Sequence, residues 1–294
     1  MDSTQNLLER LEQLHRIGAA LSRERDIHRL LDSILEAAKR LLGVDGGTLY
    51  RVTEDGEALR FAIVRTDSLG LRLGGVSEEA PQFPDLPLRL PGGALNDSLV
   101  AVHAAVHDRT INIADAYCQQ HFDFSGTRAF DARTGYRSQS FLTVPMKNHE
   151  NEIIGVLQLI NPIHPSTGKI TPFSEEDQRL VEALASQAAV ALTNRLLFIQ
   201  QQELFEALIR VINIAIDEKS PHTGKHCERV PVLTMMLAEA ANHCTEGIWA
   251  PFHLNDNELY ELKIASLLHD CGKVTTPVHI IDKSTKLETI HDRI

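Results

Sequence analysis

Cysteine, cationic charge and long apolar runs are all scarce in this chain. Four cysteines (Cys118, Cys227, Cys244 and Cys271) in 294 residues form no CxxC pair and no small-domain disulfide spacing. That excludes a disulfide scaffold and leads us to expect a reducing, cytoplasmic setting. Cys118 stands alone, which gives no support to covalent haem or bilin attachment. No apolar run nears the roughly 20 residues that cross a bilayer, and MDSTQNLLERLEQ has no basic-then-apolar signal segment, so no membrane association is expected. With 29 Lys and Arg against 40 Asp and Glu, the formal net charge is -11. An acidic surface repels nucleic-acid polymers, so any phosphate recognition has to be local. Against these absences, 43% hydrophobic and 23% charged residues are those of a folded protein, and the length suits two domains.

The first half alternates element types. LERLEQLHRIGAALSR and DIHRLLDSILEAAKRLLG are amphipathic at helical period, the second capped by Asp26 and closed by Gly43. GTLYRV and LRFAIVR flank a DG turn, and SFLTVPMKN with EIIGVLQLIN forms the strongest hairpin signal in the chain. Residues 68–95 read mostly as loop, SLVAVHAAVHD as a short helix, and 116–133 as an irregular polar segment. The expectation is an α+β layer arrangement, an antiparallel sheet with flanking helices. From Phe173 onward the pattern is helical. More than 40 residues follow without a breaker, which predicts a long connecting helix over 174–218 that pairs with a second copy of the chain. Two ordinary helices meeting near Gln200–Gln202 is the other reading. Beyond lies an all-α region.

Two segments carry metal-ligating residues. SPHTGKHCERV supplies His222 and His226, four apart, and LLHDCGK supplies His269 and Asp270. Adjacent His and Asp converge on one ion only where a helix ends or distorts, for which Gly272 offers a place. His226, His269 and Asp270 together make the minimum of three ligands. Lys273 could hold a phosphate. The other reading is equally physical: a polar residue after an apolar run can simply cap it, and this chain has 14 histidines.

HTGKHCERV followed by an apolar helix and HDCGK resembles the HD superfamily of metal-dependent phosphohydrolases, and more narrowly the HD-GYP type, in which T-x-x-H-x-x-R-V joins H-D-x-G-K. The resemblance implies a cluster of two or three metals, iron or manganese, ligated by His226, His269 and Asp270. It implies that Lys273 and Asp270 serve catalysis, with Lys273 near the phosphate, and that the reaction is hydrolysis of cyclic di-GMP. His222 is a candidate for a further metal. Ser284 and Thr285 replace the family's Pro-Gly, and His279 and His291 read as structural or surface residues. On this alignment the chain stops before the family's downstream ligands. The expectation is therefore a signal-sensing cyclic di-GMP phosphodiesterase in longer form, with the 294 residues alone inactive. The alternative is a non-enzymatic ligand-binding and dimerisation module with a degenerate or regulatory HD region.

TGYRSQSFLTVPMKN and EIIGVLQLIN resemble the GAF sensor domain, closest to those of cyclic-nucleotide phosphodiesterases and adenylyl cyclases. Asp131, Thr134, Gly135, Tyr136 and Arg137 reproduce a D-x-x-T-G-Y/F-R segment, and Asp115, Tyr117 and Phe122 match the family's lid. Asn161, Phe173 and Asp177 match its N-K and F-x-x-x-D-E signature, with Pro162 and Gln178 in place of the Lys and Glu. A pocket over a concave sheet face would be roofed by residues 113–136, with polar groups from Asp115, Asp131, Thr134, Ser138 and Gln158. Its use stays open between a cyclic nucleotide, another small ligand, and dimer contacts alone. Asp131 and Thr134 could equally just cap and turn the chain. The division expected is a sensor domain over 1–198, the connecting helix over 174–218, and the start of an HD-type domain over 204–294.

Overall fold

A computed structural model describes residues 2–219, 226–277 and 280. Two compact units divide the chain, Met1–Leu197 and Phe198–Ile294.

In the first unit, α1 (Asp2–Leu21) and α2 (Ile27–Leu42) precede the strands β1 (Val44–Val52), β2 (Ala58–Thr66), β3 (Leu71–Gly74) and β4 (Leu86–Pro87). There follow α3 (Val100–Val106), β5 (Ile111–Ile113), α4 (Ser125–Thr134), β6 (Phe141–Lys147), β7 (Ile153–Pro162) and the start of α5 (Glu175–Lys219). The sheet runs β3-β2-β1-β7-β6-β5, antiparallel throughout, with β4 beside β2. The α+β sheet with flanking helices expected from the sequence is present.

Alternation along the strands sorts side chains to two faces. Leu142, Val144 and Met146 of β6 and Leu157 and Leu159 of β7 point to one side, where they pack with Leu14 of α1, Leu30, Ile34 and Leu35 of α2 and Val181–Leu192 of α5. Phe141, Thr143, Val156, Gln158 and Ile160 point the other way. That second face is covered by α3 and by the loops around α4. A side chain at Gly47 would meet Leu35 Cδ1 at 2.7 Å and Leu159 Cδ2 at 3.1 Å, so glycine there lets α2 lie close on the sheet.

A buried ion pair ties α2 to the edge of the sheet. Arg65, 1% exposed, donates to the carboxylate of Asp32 and to the carbonyls of Val64, Leu73 and Gly74. The second Asp32 oxygen accepts from the Val76 amide at 2.7 Å. Both charges are thus hydrogen-bonded, the condition under which a buried pair is tolerated.

The segment 116–133 departs from the irregular reading, because α4 occupies Ser125–Thr134. Its N-cap is Phe124, with no capping side chain, and its only strong signal is Gly135, which closes it in the left-handed region at φ 72°. Helix α5 is continuous for 45 residues. Ser174 and Asp177 close a reciprocal box at its start, with Asp177 Oδ2 accepting from Ser174 N at 3.0 Å and the Asp177 amide donating to Ser174 Oγ at 3.1 Å.

The second unit is all helical in its described residues. It contains the end of α5, α6 (His226–Asn242), α7 (Asp256–Leu268) and short 3₁₀ turns at Gly247–Trp249 and Cys271–Val274. Asn255 and Glu258 form a full capping box before α7. No helix among the described residues is long and apolar enough to cross a membrane.

Candidate functional site

A cavity of about 410 Å³ lies between the second sheet face and the α4 region. Thr48 and Gln158 line its floor and belong to a polar row across three strands: Thr48 of β1 is in register with Gln158 of β7, and Gln158 with Thr143 of β6. Gln158 accepts from Tyr50 Oη at 3.2 Å and donates to Thr143 Oγ1 at 3.0 Å. The walls are aromatic, with Tyr50, Phe61, Phe83, Phe124, Phe130 and Phe141 lining the space. At the rim lie Asp123, Ser125, Gly126 and Thr127. Asp123 accepts from the Ser125 amide at 2.8 Å, and these hydrogen bonds to Ser125 hold its carboxyl below the usual range. The next amides, Gly126 and Thr127, belong to the first turn of α4 and have no intrahelical acceptor.

Of the residues expected at the pocket, Ser138 and Gln158 line it. Phe122 lines a neighbouring surface depression with Tyr117 and Cys118. Asp115, Asp131 and Thr134 are not among the lining residues. Asp115 accepts from the Tyr117 amide at 2.8 Å, an Asx turn. Thr134 donates back to the Phe130 carbonyl at 2.9 Å. Asp131 is buried and accepts from Tyr117 Oη at 2.7 Å and from the amide and hydroxyl of Ser138, both at 2.8 Å. Its hydrogen bond raises the Tyr117 phenol pKa. The geometry gives these three residues turn-forming and roof-bracing contacts. Thr48, Tyr50 and Phe61 and the α4 rim were missed from sequence. The pleat of β1, which puts Thr48 and Tyr50 on one face, was the available signal.

Asn161 sits at φ 58° near the end of β7. Its Oδ1 accepts from the Gln139 and Ser140 amides at 2.9 and 3.1 Å, while Nδ2 donates to Tyr136 Oη and the Arg137 carbonyl at 2.9 and 2.8 Å. Tyr136 in turn donates to Asp45 Oδ2 at 2.6 Å. Phe173 is buried, and its carbonyl accepts from Asn112 at 3.3 Å. Where the family signature has a Lys and a Glu, the Pro162 carbonyl accepts from Thr171 at 2.9 Å and Gln178 donates to Glu182 at 3.0 Å.

Among the described residues two groups bring three potential metal-ligating atoms within 4.8 Å of one another: His226, His269 and Asp270 in the second unit, and Asp97, His103 and His107 in the first. Helix α7 ends at Leu268, and the backbone tightens into the 3₁₀ turn at Cys271. Gly272 lies inside that turn rather than closing the helix in the left-handed region. The change of path turns adjacent side chains toward each other, with His269 Nε2 at 3.2 Å from both His226 Nε2 and Asp270 Oδ2, and His226 Nε2 at 3.7 Å from Asp270 Oδ2. His269 Nδ1 lies 2.7 Å from the Ser266 carbonyl. A carbonyl only accepts, so Nδ1 carries the proton and Nε2 keeps a lone pair for a cation. Lys273 Nζ lies 2.6 Å from Asp270 Oδ2. Burial pushes the Asp270 pKa up, but the Lys273 hydrogen bond and the neighbouring histidines outweigh it and lower the value. His222, His279, His291, Ser284 and Thr285 lie outside the described residues.

Comparison with known proteins identifies the first half. The GAF domain family model matches residues 26–192. Over 121 residues the chain is 32% identical to the dual 3',5'-cyclic-AMP and -GMP phosphodiesterase 11A of Takifugu rubripes, a match covering 40% of this chain and 12% of that protein. Over 252 residues it is 25% identical to the dual 3',5'-cyclic-AMP and -GMP phosphodiesterase 11 of Drosophila melanogaster, covering 79% of this chain and 16% of that protein. The chain therefore spans a small part of these relatives. The GAF domain of a phosphoenolpyruvate-protein phosphotransferase from Coxiella burnetii is similar at 16% identity and a TM-score of 0.48, over 64% of this chain and 95% of that one.

These relatives correct the activity expected from the HDCGK segment. Cyclic-AMP and -GMP phosphodiesterases are a different enzyme family from the HD-GYP hydrolases, so the cyclic di-GMP, HD-GYP and hydrolase assignments do not stand. The physical reason is that a short ligand motif specifies a geometry of donor atoms and carries no information about substrate. The long match over the first half carries the identification: with residues 26–192 matched, this chain belongs to the GAF domain family.

Proposed function

We propose that the first unit is a sensor domain whose cavity receives a purine cyclic nucleotide, and that the second unit carries a divalent metal in an HD-type centre. The cavity is the observation that supports the first part. Its volume falls within the roughly 300–1,000 Å³ of small-molecule sites. Tyr50, Phe61, Phe124 and Phe130 offer ring faces for a base. Ser138 and Gln158 offer polar atoms for its edge, and the Gly126 and Thr127 amides at the start of α4 suit an anion. Asp123, charged at the same rim, disfavours ligands of higher negative charge than a cyclic phosphate diester. The names of the two phosphodiesterase relatives are in keeping with this ligand class.

For the second part, His226, His269 and Asp270 would hold the ion, with His222 a further candidate, and iron or manganese suits an N and O donor set. A bound ion would supply Lewis acidity beside Lys273. The units Met1–Leu197 and Phe198–Ile294 support a division into a sensor over 1–198, a connecting helix over 174–218 and a metal-bearing domain over 204–294. The partner proposed for α5 is a second copy of the chain. Val190, Leu197, Leu204 and Val211 are all exposed and recur every seven residues, with Leu208 and Ile214 exposed nearby. That is the seam spacing of a coiled coil.

Titration calorimetry of the full chain with cyclic AMP and cyclic GMP is expected to give saturable binding of at least one. Gly126→Pro removes one amide donor in the first helical turn, where proline is tolerated. It is expected to weaken the cyclic nucleotide by about 10-fold or more, as for a lost charge-assisted hydrogen bond of ~1.5–3 kcal/mol, while adenosine binds both proteins alike. No heat with either nucleotide at high micromolar protein would defeat this reading. Sedimentation is expected to give a dimer for the parent chain and a monomer for Leu204→Glu; a monomeric parent would remove the second-copy proposal. Mass spectrometry of protein purified without chelator should find iron or manganese that His269→Ala loses, and metal content unchanged by that substitution would count against the HD-type centre.

A further inference from the structure

A second cluster of ligating groups lies on the cavity-covering side of the first unit, apart from the residues discussed above. Asp97 precedes α3, His103 is on it, and His107 caps its end. The His107 amide bonds to the His103 carbonyl at 3.1 Å, which fixes the two side chains one helical turn apart on one face, with ring centroids 4.5 Å apart. Asp97 Oδ1 faces both, 2.7 Å from His107 Nε2 and 3.7 Å from His103 Nδ1.

Asp97 and His107 alone would pass as a surface hydrogen bond. His103 breaks that reading. Its Nδ1 is buried and makes no hydrogen bond of good geometry, although it faces Asp97, whose carboxylate lies 3.7 Å away. Phe122 packs edge-on against its ring with centroids 5.2 Å apart. A buried imidazole nitrogen whose contacts are long or poorly aligned costs stability unless an ion or water fills the space. We infer that Asp97, His103 Nδ1 and His107 Nε2 form a binding site for a borderline divalent transition ion of the Zn²⁺ class, its fourth position open to water.

The donor set and its spacing suit that ion. Two imidazoles and a carboxylate select zinc-like ions over Mg²⁺ or Ca²⁺, which take all-oxygen shells. Bonds of about 2.0–2.1 Å at tetrahedral angles put donors about 3.3 Å apart, between the two distances seen here. Small side-chain rotations by the exposed Asp97 and His107 would equalise them. Val100 and Ala101, on the same short helix, line the cavity, so the ion would stiffen one of its walls.

The test is Zn²⁺ binding to the full chain carrying His269→Ala, which disables the other cluster, measured in competition with a chromophoric chelator. About one Zn²⁺ per chain is expected, unaffected by millimolar Mg²⁺. Adding His107→Gln should weaken binding by about 100-fold or more, beyond the roughly 10–100-fold lost with an outer-shell partner. His107 is partly exposed, so this variant should keep the parent's melting curve. Co²⁺ in place of Zn²⁺ should give visible absorption bands that His107→Gln abolishes. Absence of Zn²⁺ uptake in the His269→Ala protein, or uptake unchanged by His107→Gln, would overturn the site.

Discussion

The roof of the cavity depends on one side chain, Asn161. A residue at positive φ and fully buried on the sheet spends all four of its amide contacts on the segment 136–140. Through Tyr136 the same network reaches Asp45 at the start of β1. Asp131 braces the other end of that segment through Ser138 and Tyr117. Each buried donor or acceptor in this set has its partner, which is what makes a buried polar network rigid rather than costly. The roof is thereby held at a set height above the Thr48–Gln158–Thr143 row, and a defined space for a ligand results.

The sheet also separates two tasks. One face is sealed by α1, α2 and α5 over a largely apolar core, with the Arg65–Asp32 pair buried at its edge. The other keeps polar groups in its floor and is closed by short elements. A ligand entering the second face would touch α4 and β1–β2, while the first face supports α5, the proposed connecting helix, through which any coupling to the second unit would have to pass. Such coupling requires that the ligand prefer one of two arrangements of the protein, so binding alone would not be enough.

Much of this was legible in the sequence. The SFLTVPMKN and EIIGVLQLIN hairpin, the Asp26 and Gly43 caps and the long helix after Phe173 all follow from local signals that tertiary context reinforced. Helix α4 was not legible, because it begins at Phe124 without a capping side chain and shows little apolar periodicity. The roles of Asp131 and Thr134 divided between two readings at the sequence level; Thr134 makes a local contact to Phe130, whereas Asp131 reaches across to Tyr117 and Ser138. Convergence of His269 and Asp270 needed a helix end, which occurs, although by a 3₁₀ turn rather than by a left-handed glycine. Substrate identity was not legible in the sequence. The cyclic di-GMP expectation came from a ligand motif, whereas the relatives found over the chain carry the names of cyclic-AMP and -GMP phosphodiesterases.

The most direct measurement is an amide-resolved NMR titration of the protein with cyclic AMP and cyclic GMP. The largest shifts are expected at Gly126 and Thr127, with smaller ones at Thr48 and Ser138 on the cavity floor and roof. Shifts absent from those amides, or confined to α6 and α7, would contradict cyclic-nucleotide binding in this cavity.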